Sequence, residues 1–206
     1  IRDVAVTGVQ TCALPIYIGC AKAALQQGLT SHILISEDDT AFGECTGMMD
    51  RVLDLLPADS WDVIYLDVFI PNALDMAWYF KLRQKCFREA RIELLQPTQV
   101  GRAFAGAGAY IVNNASLKSF LALTDIATLP GAFDLYLRQL VWSGLIRARI
   151  AFPFLTTVAG SADDSQVQYT GERLSQDPLL NAFRRMVWMG ADRKSTRLNS
   201  SHGYIS

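Results

Sequence analysis

The chain has 206 residues, half of them hydrophobic, and a net charge of −1. That length supports one domain with its own core. The balanced charge leaves no basic stripe of the kind that tracks nucleic-acid phosphates and no polybasic face for lipid headgroups. No nucleic-acid partner and at most peripheral membrane association are therefore expected.

Cys12, Cys20, Cys45 and Cys86 never fall as C-x-x-C, and there are only two histidines. Neither a zinc site nor a disulfide framework is expected, and the thiols read as reduced and buried in a cytoplasmic protein. No apolar run reaches the ~18 to 20 residues of a membrane helix. The apolar stretch from Val4 to Cys20 ends in Gly19-Cys20, but Asp3, Gln10, Thr11 and Pro15 do not suit a signal segment.

The two ends differ from the middle. Val6-Thr7-Gly8-Val9-Gln10-Thr11-Cys12-Ala13-Leu14-Pro15-Ile16 and Arg193-Lys194-Ser195-Thr196-Arg197-Leu198-Asn199-Ser200-Ser201-His202 resemble translated sequencing-adapter read-through. The polar, serine-rich tail reads as disordered on composition alone. The expected organisation is a non-native or disordered extension over 1–16, an α/β domain over 17–192 and a second such extension over 193–206.

In chain order, residues 18–27 are alanine-rich and stopped by Gly28, a helix with a glycine C-cap. Residues 31–36 form a short apolar run that predicts a buried strand. Met48, Met49, Val52, Leu53, Leu55 and Leu56 have helical spacing and end at Pro57. Residues 61–66 are rich in aromatic and β-branched side chains and predict a second strand. A helix around 76–87 and a short strand at 91–95 follow. Tyr110-Ile111-Val112 predicts a third strand, after which Asn113 or Asn114 caps a helix through Leu117, Phe120 and Leu121. Residues 133–142 read as a helix, 146–155 as a strand interrupted by Pro153, and 178–189 as an amphipathic helix with Pro178 near its start. Alternating helix and strand predicts an α/β domain with a mostly parallel sheet flanked by helices, with ligands at the carboxyl ends of strands.

Glu37-Asp38-Asp39 directly follows the apolar run ending at Ser36. In an extended segment Glu37 and Asp39 point one way and Asp38 the other. Two carboxylates on one side suit Mg2+ or Mn2+ and leave positions open for diphosphate oxygens. The alternative is a solvated acidic turn that ends the strand.

Ile33-Leu34-Ile35-Ser36-Glu37-Asp38-Asp39-Thr40-Ala41-Phe42 resembles the "ILILEDDV-x-F" segment of glycosyltransferase family 25, the lipopolysaccharide-biosynthesis and collagen-galactosyltransferase group. Ile18-Gly19-Cys20 is similar to the start of that family's "IGC-x-x-SH" helix, and Trp61-Asp62-Val63-Ile64-Tyr65-Leu66 to its "WDIIYLG" strand. Gly108-Ala109-Tyr110-Ile111-Val112 resembles "T-x-AYIVS", and Phe133-Asp134-Leu135-Tyr136-Leu137 resembles "VD-x-x-L". Pro153 and Asp164-Ser165 resemble "P-x-L…SDI". The shared order covers residues 18–168.

The resemblance implies a GT-A-like fold and transfer of a sugar from a nucleotide-sugar donor, usually UDP-linked, to a glycan acceptor such as lipopolysaccharide. It implies a divalent metal held by Glu37 and Asp39, with Asp38 on the ribose or the metal. Asp134 becomes the general base for the acceptor hydroxyl; its ordinary reading is a helix N-cap. The family's Ser-His is replaced around Lys22-Ala23-Ala24, so His32 reads as a core or strand-edge residue. The family's amino-terminal strand and base-binding region are expected before Ile18 and have no counterpart there. The alternatives are an inactive truncated domain and another metal-assisted phosphoryl-handling enzyme.

Gly106-Ala107-Gly108 precedes a strand rather than joining strand to helix, so the dinucleotide fingerprint fails. It reads either as a tight turn or as a close backbone approach to a ligand. Ser161 and Ser165 have no nearby histidine in the sequence to support a hydrolase triad.

Overall fold

The computed structural model describes residues 13–42, 46–57, 59–97, 104–125, 132–159 and 177–189. Most of the expected extensions at 1–16 and 193–206 lies outside them, as do Cys12, Cys45, Ser161 and Asp164-Ser165. The described elements run α1 (Ala13–Gln26), β1 (Ile33–Ser36), β2 (Thr40–Phe42), α2 (Thr46–Asp54), β3 (Val63–Tyr65), α3 (Ala73–Arg88), β4 (Glu93–Leu95) and β5 (Ala109–Val112). A short 3-10 turn (Asn114–Ser116), α4 (Leu117–Thr124), α5 (Phe133–Trp142), β6 (Ala148–Phe152), β7 (Thr156–Val158) and α6 (Asp177–Val187) complete the order.

Helix α1 begins at Ala13 and runs unbroken across the boundary expected at residue 16. Pro15 falls in its first turn, where a missing N–H costs no helical bond. Gly28 ends the segment with φ 63°, as its place in the sequence predicts. Tyr17, Cys20, Ala21 and Ala24 form the buried stripe of α1, and Leu117, Phe120, Leu121 and Thr124 form that of α4. Asn113 caps the turn before α4 by accepting from the Ala115 amide at 3.0 Å, and Asn72 caps α3 through the Leu74 amide at 2.8 Å.

The main sheet has five strands in the order β1-β5-β3-β6-β4. It is mixed, as expected of a GT-A-like sheet, but among the described strands it is not mostly parallel, and that part of the expectation is corrected. Only β3 and β6 pair in parallel, while β1/β5, β5/β3 and β4/β6 are antiparallel. The physical reason is insertion. Strands β1, β3 and β6 share a direction, as the alternation of helix and strand predicts, but β5 lies between β1 and β3 and runs the other way. Strand β4 does the same at the far edge.

Period-2 alternation then sends side chains to two covered faces. Ile33, Ile35, Val63, Tyr65, Tyr110, Val112, Ile150 and Phe152 join the larger core with residues of α1, α3, α4, α5 and α6. Ile64, Leu66, Ala109, Ile111 and Ala151 pack on the other side with Met49, Val52 and Trp61. A second, two-stranded sheet pairs β2 with β7, Thr40 opposite Val158. Of the strand expected over 146–155 with an interruption at Pro153, β6 takes Ala148–Phe152 and ends at a cis Phe152-Pro153 peptide; β7 begins beyond that span and enters the other sheet.

Cys20 and Cys86 are buried free thiols, with burial pushing Cys86 up to about 11. His32 is half-buried against the Trp61 ring, and its Nδ1 accepts from the Asn114 amide at 3.3 Å. This is the strand-edge role expected of it. Among the described residues no helix is long and apolar enough to cross a membrane.

Candidate functional site

The shared direction of β1 and β3 brings their carboxyl ends to one edge of the sheet, beside the amino end of β5. Glu37 follows β1, Asp67 follows β3, and Gly108 precedes β5. Backbone bonds fix these three segments. The Glu37 amide donates to the Gly108 carbonyl at 2.8 Å and the Leu66 amide to the Ala109 carbonyl at 3.0 Å. Thr40 Oγ1 adds a bond to the same Gly108 carbonyl at 2.8 Å.

The approach to β5 contains a bulge. Tyr65 pairs with Tyr110 and Phe69 with Ala105, so residues 66–68 face residues 106–109. One extra residue on the glycine side bends that strand away from its partner. Gly106 takes φ 98° there, and a Cβ on it would stand 3.0 Å from the Phe69 ring. At Gly108 an added Cβ would lie 3.1 Å from Arg184 Nη2, 3.5 Å from Asp67 Oδ1 and 3.6 Å from Glu37 Oε2. The glycine pair lies in this bulge rather than in a tight turn, and three charged groups converge where Gly108 has no side chain.

The chain does not stay extended through the acidic triplet. The Thr40 amide reaches back to the Glu37 carbonyl at 3.3 Å and closes a turn. That turn, rather than strand alternation, puts Glu37 and Asp39 within the electrostatic reach of the same Asp67 and Arg184. Asp38 is exposed, and its charge acts on neighbouring Asp39. The far side of the turn is tied to β7, where the Ala159 amide donates to the Asp39 carbonyl at 2.7 Å.

Glu37 as a residue has solvent access, but its carboxyl group lies against the inner wall of this recess. Loss of hydration pushes it above the usual carboxylate range; the Tyr17 hydroxyl bond opposes that, Asp39 adds to it, and Arg184 opposes it. Asp39 is raised by burial and by Asp38, again against Arg184. Tyr17 donates to Glu37 Oε1 from α1. Its ring stacks on Phe133 at 4.9 Å, which joins the acidic turn to the start of α5.

Asp134 lies in the first turn of α5, two residues after the N-cap Ala132. It is therefore not the N-cap itself. Its Oδ1 accepts from the Leu135 amide at 2.8 Å and its Oδ2 from the Gly106 amide at 3.0 Å. It pins the glycine segment to α5, and each oxygen keeps a second lone pair. Its charge is felt at Tyr17 and at the buried Tyr65.

Two residues of the recess were not among those expected from the sequence. Asp67 and Arg184 form an ion pair at 2.6 Å, with side chains 1% and 2% exposed. Arg184 also lies over the Phe69 ring, 4.2 Å from its centroid. Each had a signal. Asp67 follows the 61–66 strand as Glu37 follows the 31–36 strand. Arg184 stands beside Phe183 and one turn before Val187, a charge on the apolar face of α6.

Mg2+ and Mn2+ take hard oxygen donors and, with one or two carboxylates, complete their shell from water and phosphate. The recess fits such an ion. Asp39 Oδ1 and Asp67 Oδ1 are buried oxygens without a hydrogen-bond partner, and Glu37 Oε2 faces the space over Gly108. Among the described residues no three acidic, histidine or cysteine side chains are already gathered to hold a metal. No family model matches the chain, and a search of curated proteins likewise returned no match.

Proposed function

We propose that this chain is a glycosyltransferase domain of GT-A-like fold that binds a nucleotide-sugar donor, UDP-linked, at the recess over Gly108. The acceptor is a glycan such as lipopolysaccharide, and the reaction takes place in the cytoplasm. The observation that carries the reading is that Glu37 and Asp134 both stand at the glycine segment 106–108, with the charge of Asp39 reaching the same Tyr17 that bonds Glu37, in the chain order that resembles family 25.

Glu37 and Asp39 would hold the divalent cation, and Asp38, exposed at the tip of the turn, would contact the ribose. Such a cation, when bound, would supply neutralisation of the charge on a departing nucleoside diphosphate. The free lone pairs of Asp134 accept the proton of the acceptor hydroxyl, while its bonds to Gly106 and Leu135 keep the carboxylate in one orientation. Tyr17 and Arg184 favour the ionised form of Glu37, which ligation requires.

Release of UDP from a panel of UDP-sugars, with a glycan acceptor and Mn2+, tests this. Turnover should vanish in the Glu37→Ala, Asp39→Ala double variant and fall sharply in Asp134→Asn. Turnover that survives the double substitution would sink the proposal.

A further inference from the structure

Asp67 is the most deeply buried carboxylate in the recess, 1% exposed. Its Oδ2 is held by Arg184 at 2.6 Å, while its Oδ1 has no hydrogen-bond partner. A buried carboxylate oxygen without a donor is costly, so native structures seldom leave one. The free oxygen is not turned into the apolar core. It lies 3.5 Å from the point where a Cβ of Gly108 would stand, and Glu37 Oε2 lies 3.6 Å from that same point. The two oxygens therefore border one small volume, which Arg184 Nη2, 3.1 Å from that point, also borders.

Arg184 is fixed by its stacking on Phe69, so Asp67 is held with one oxygen committed and the other presented.

We infer that Asp67 is a third carboxylate of the cation site, its Oδ1 accepting from a water on a divalent ion held by Glu37 and Asp39, with Arg184 as the residue that positions it. The contact is assigned through a water, since among the described residues no three acidic, histidine or cysteine side chains are gathered to hold a metal directly, and Mg2+ in particular retains several waters. Gly108 is part of the same device: a side chain there would fill the volume between the two carboxylates. This inference rests on the reading of Glu37 and Asp39 as cation ligands.

The test is Mn2+ titration of the full chain, with free Mn2+ read by electron paramagnetic resonance. Wild type should bind, and the Glu37→Ala, Asp39→Ala double variant should not. Asp67→Asn should bind roughly ten- to a hundredfold more weakly, the usual effect of losing a carboxylate that supports a metal site through hydrogen bonds. Gly108→Ala should also bind more weakly. If wild type binds, the double variant fails and Asp67→Asn binds as tightly as wild type, the role of Asp67 is overturned and the Glu37/Asp39 reading stands. Wild type that binds no Mn2+ overturns both. Should Asp67→Asn fail to fold by circular dichroism, Gly108→Ala decides, and undiminished binding by folded Gly108→Ala overturns the inference.

Discussion

Tyr17 on α1 donates its phenolic hydrogen to Glu37 at the end of β1, linking the first helix to the acidic turn. The bond favours the ionised carboxylate against the burial that raises it. In Tyr17→Phe that support is gone, and the Glu37 carboxyl moves further upward. A cation ligand must be deprotonated, so Mn2+ affinity should fall most at mildly acidic pH and recover as pH rises. The expected loss is roughly threefold to tenfold, the size of one net hydrogen bond. Affinity measured against pH checks this, and parallel profiles for the two proteins would contradict it.

Glu37 and Asp39 should also carry a stability cost. Both are raised chiefly by burial. A carboxyl group raised on folding contributes stability below its unfolded value and loses it as pH rises through the folded value. Near neutral pH both groups therefore oppose folding. Glu37→Gln and Asp39→Asn should melt higher than wild type there, by up to about 2 to 4 °C, while losing the cation. The advantage should disappear in acid. Thermal melts at two pH values decide it, and a lower melting temperature at neutral pH would refute it.

Asp62 shows the opposite sign. Burial raises its carboxyl, but bonds from Arg147 and Ser116 outweigh that and hold it below the usual range. Arg147 reaches it through Nη2 at 2.7 Å and its own amide at 2.7 Å, joining the start of β3 to that of β6. Stability from a lowered carboxyl is present above its unfolded value and lost as pH falls through the folded value. Asp62→Asn should cost about 1 to 2 kcal/mol at neutral pH, discounted because Arg147 is half exposed. In urea melts that penalty should shrink toward acid pH; a pH-independent penalty would count against the account.

The bulge beside the recess gives a backbone prediction. Gly106→Ala meets both a positive φ and the Phe69 ring, and should destabilise by about 1 to 3 kcal/mol. Gly19→Ala is the control. Gly19 lies inside α1 with open space around it, so alanine there should stabilise by roughly 0.5 to 1 kcal/mol. Equal effects of the two substitutions in chemical denaturation would argue against the bulge.

Local chemistry was legible in the sequence, and long-range placement was not. The helix expected at 133–142 is α5 with the same bounds, because Phe133, Leu137, Leu140 and Val141 mark its buried side. Strands β1 and β3 lie inside the apolar runs that predicted them, and β5 is the run 110–112 with Ala109 added. The insertion of β5 between β1 and β3 depends on contacts far apart in the chain, which periodicity does not carry. Strands β2 and β7, Thr40-Ala41-Phe42 and Thr156-Thr157-Val158, have no apolar run to mark them. The triplet 37–39 was found because three acids in a row stand out. Asp67 is a single charge after an apolar run and Arg184 one of two adjacent arginines, and their meaning depends on their pairing in space.

The most direct test of the central claim is calorimetric titration of UDP into the full chain, with Mn2+ and then with a chelator. The account predicts saturable binding that requires Mn2+ and is abolished by Glu37→Ala with Asp39→Ala. Absence of binding, or binding indifferent to the metal and to both substitutions, would contradict it.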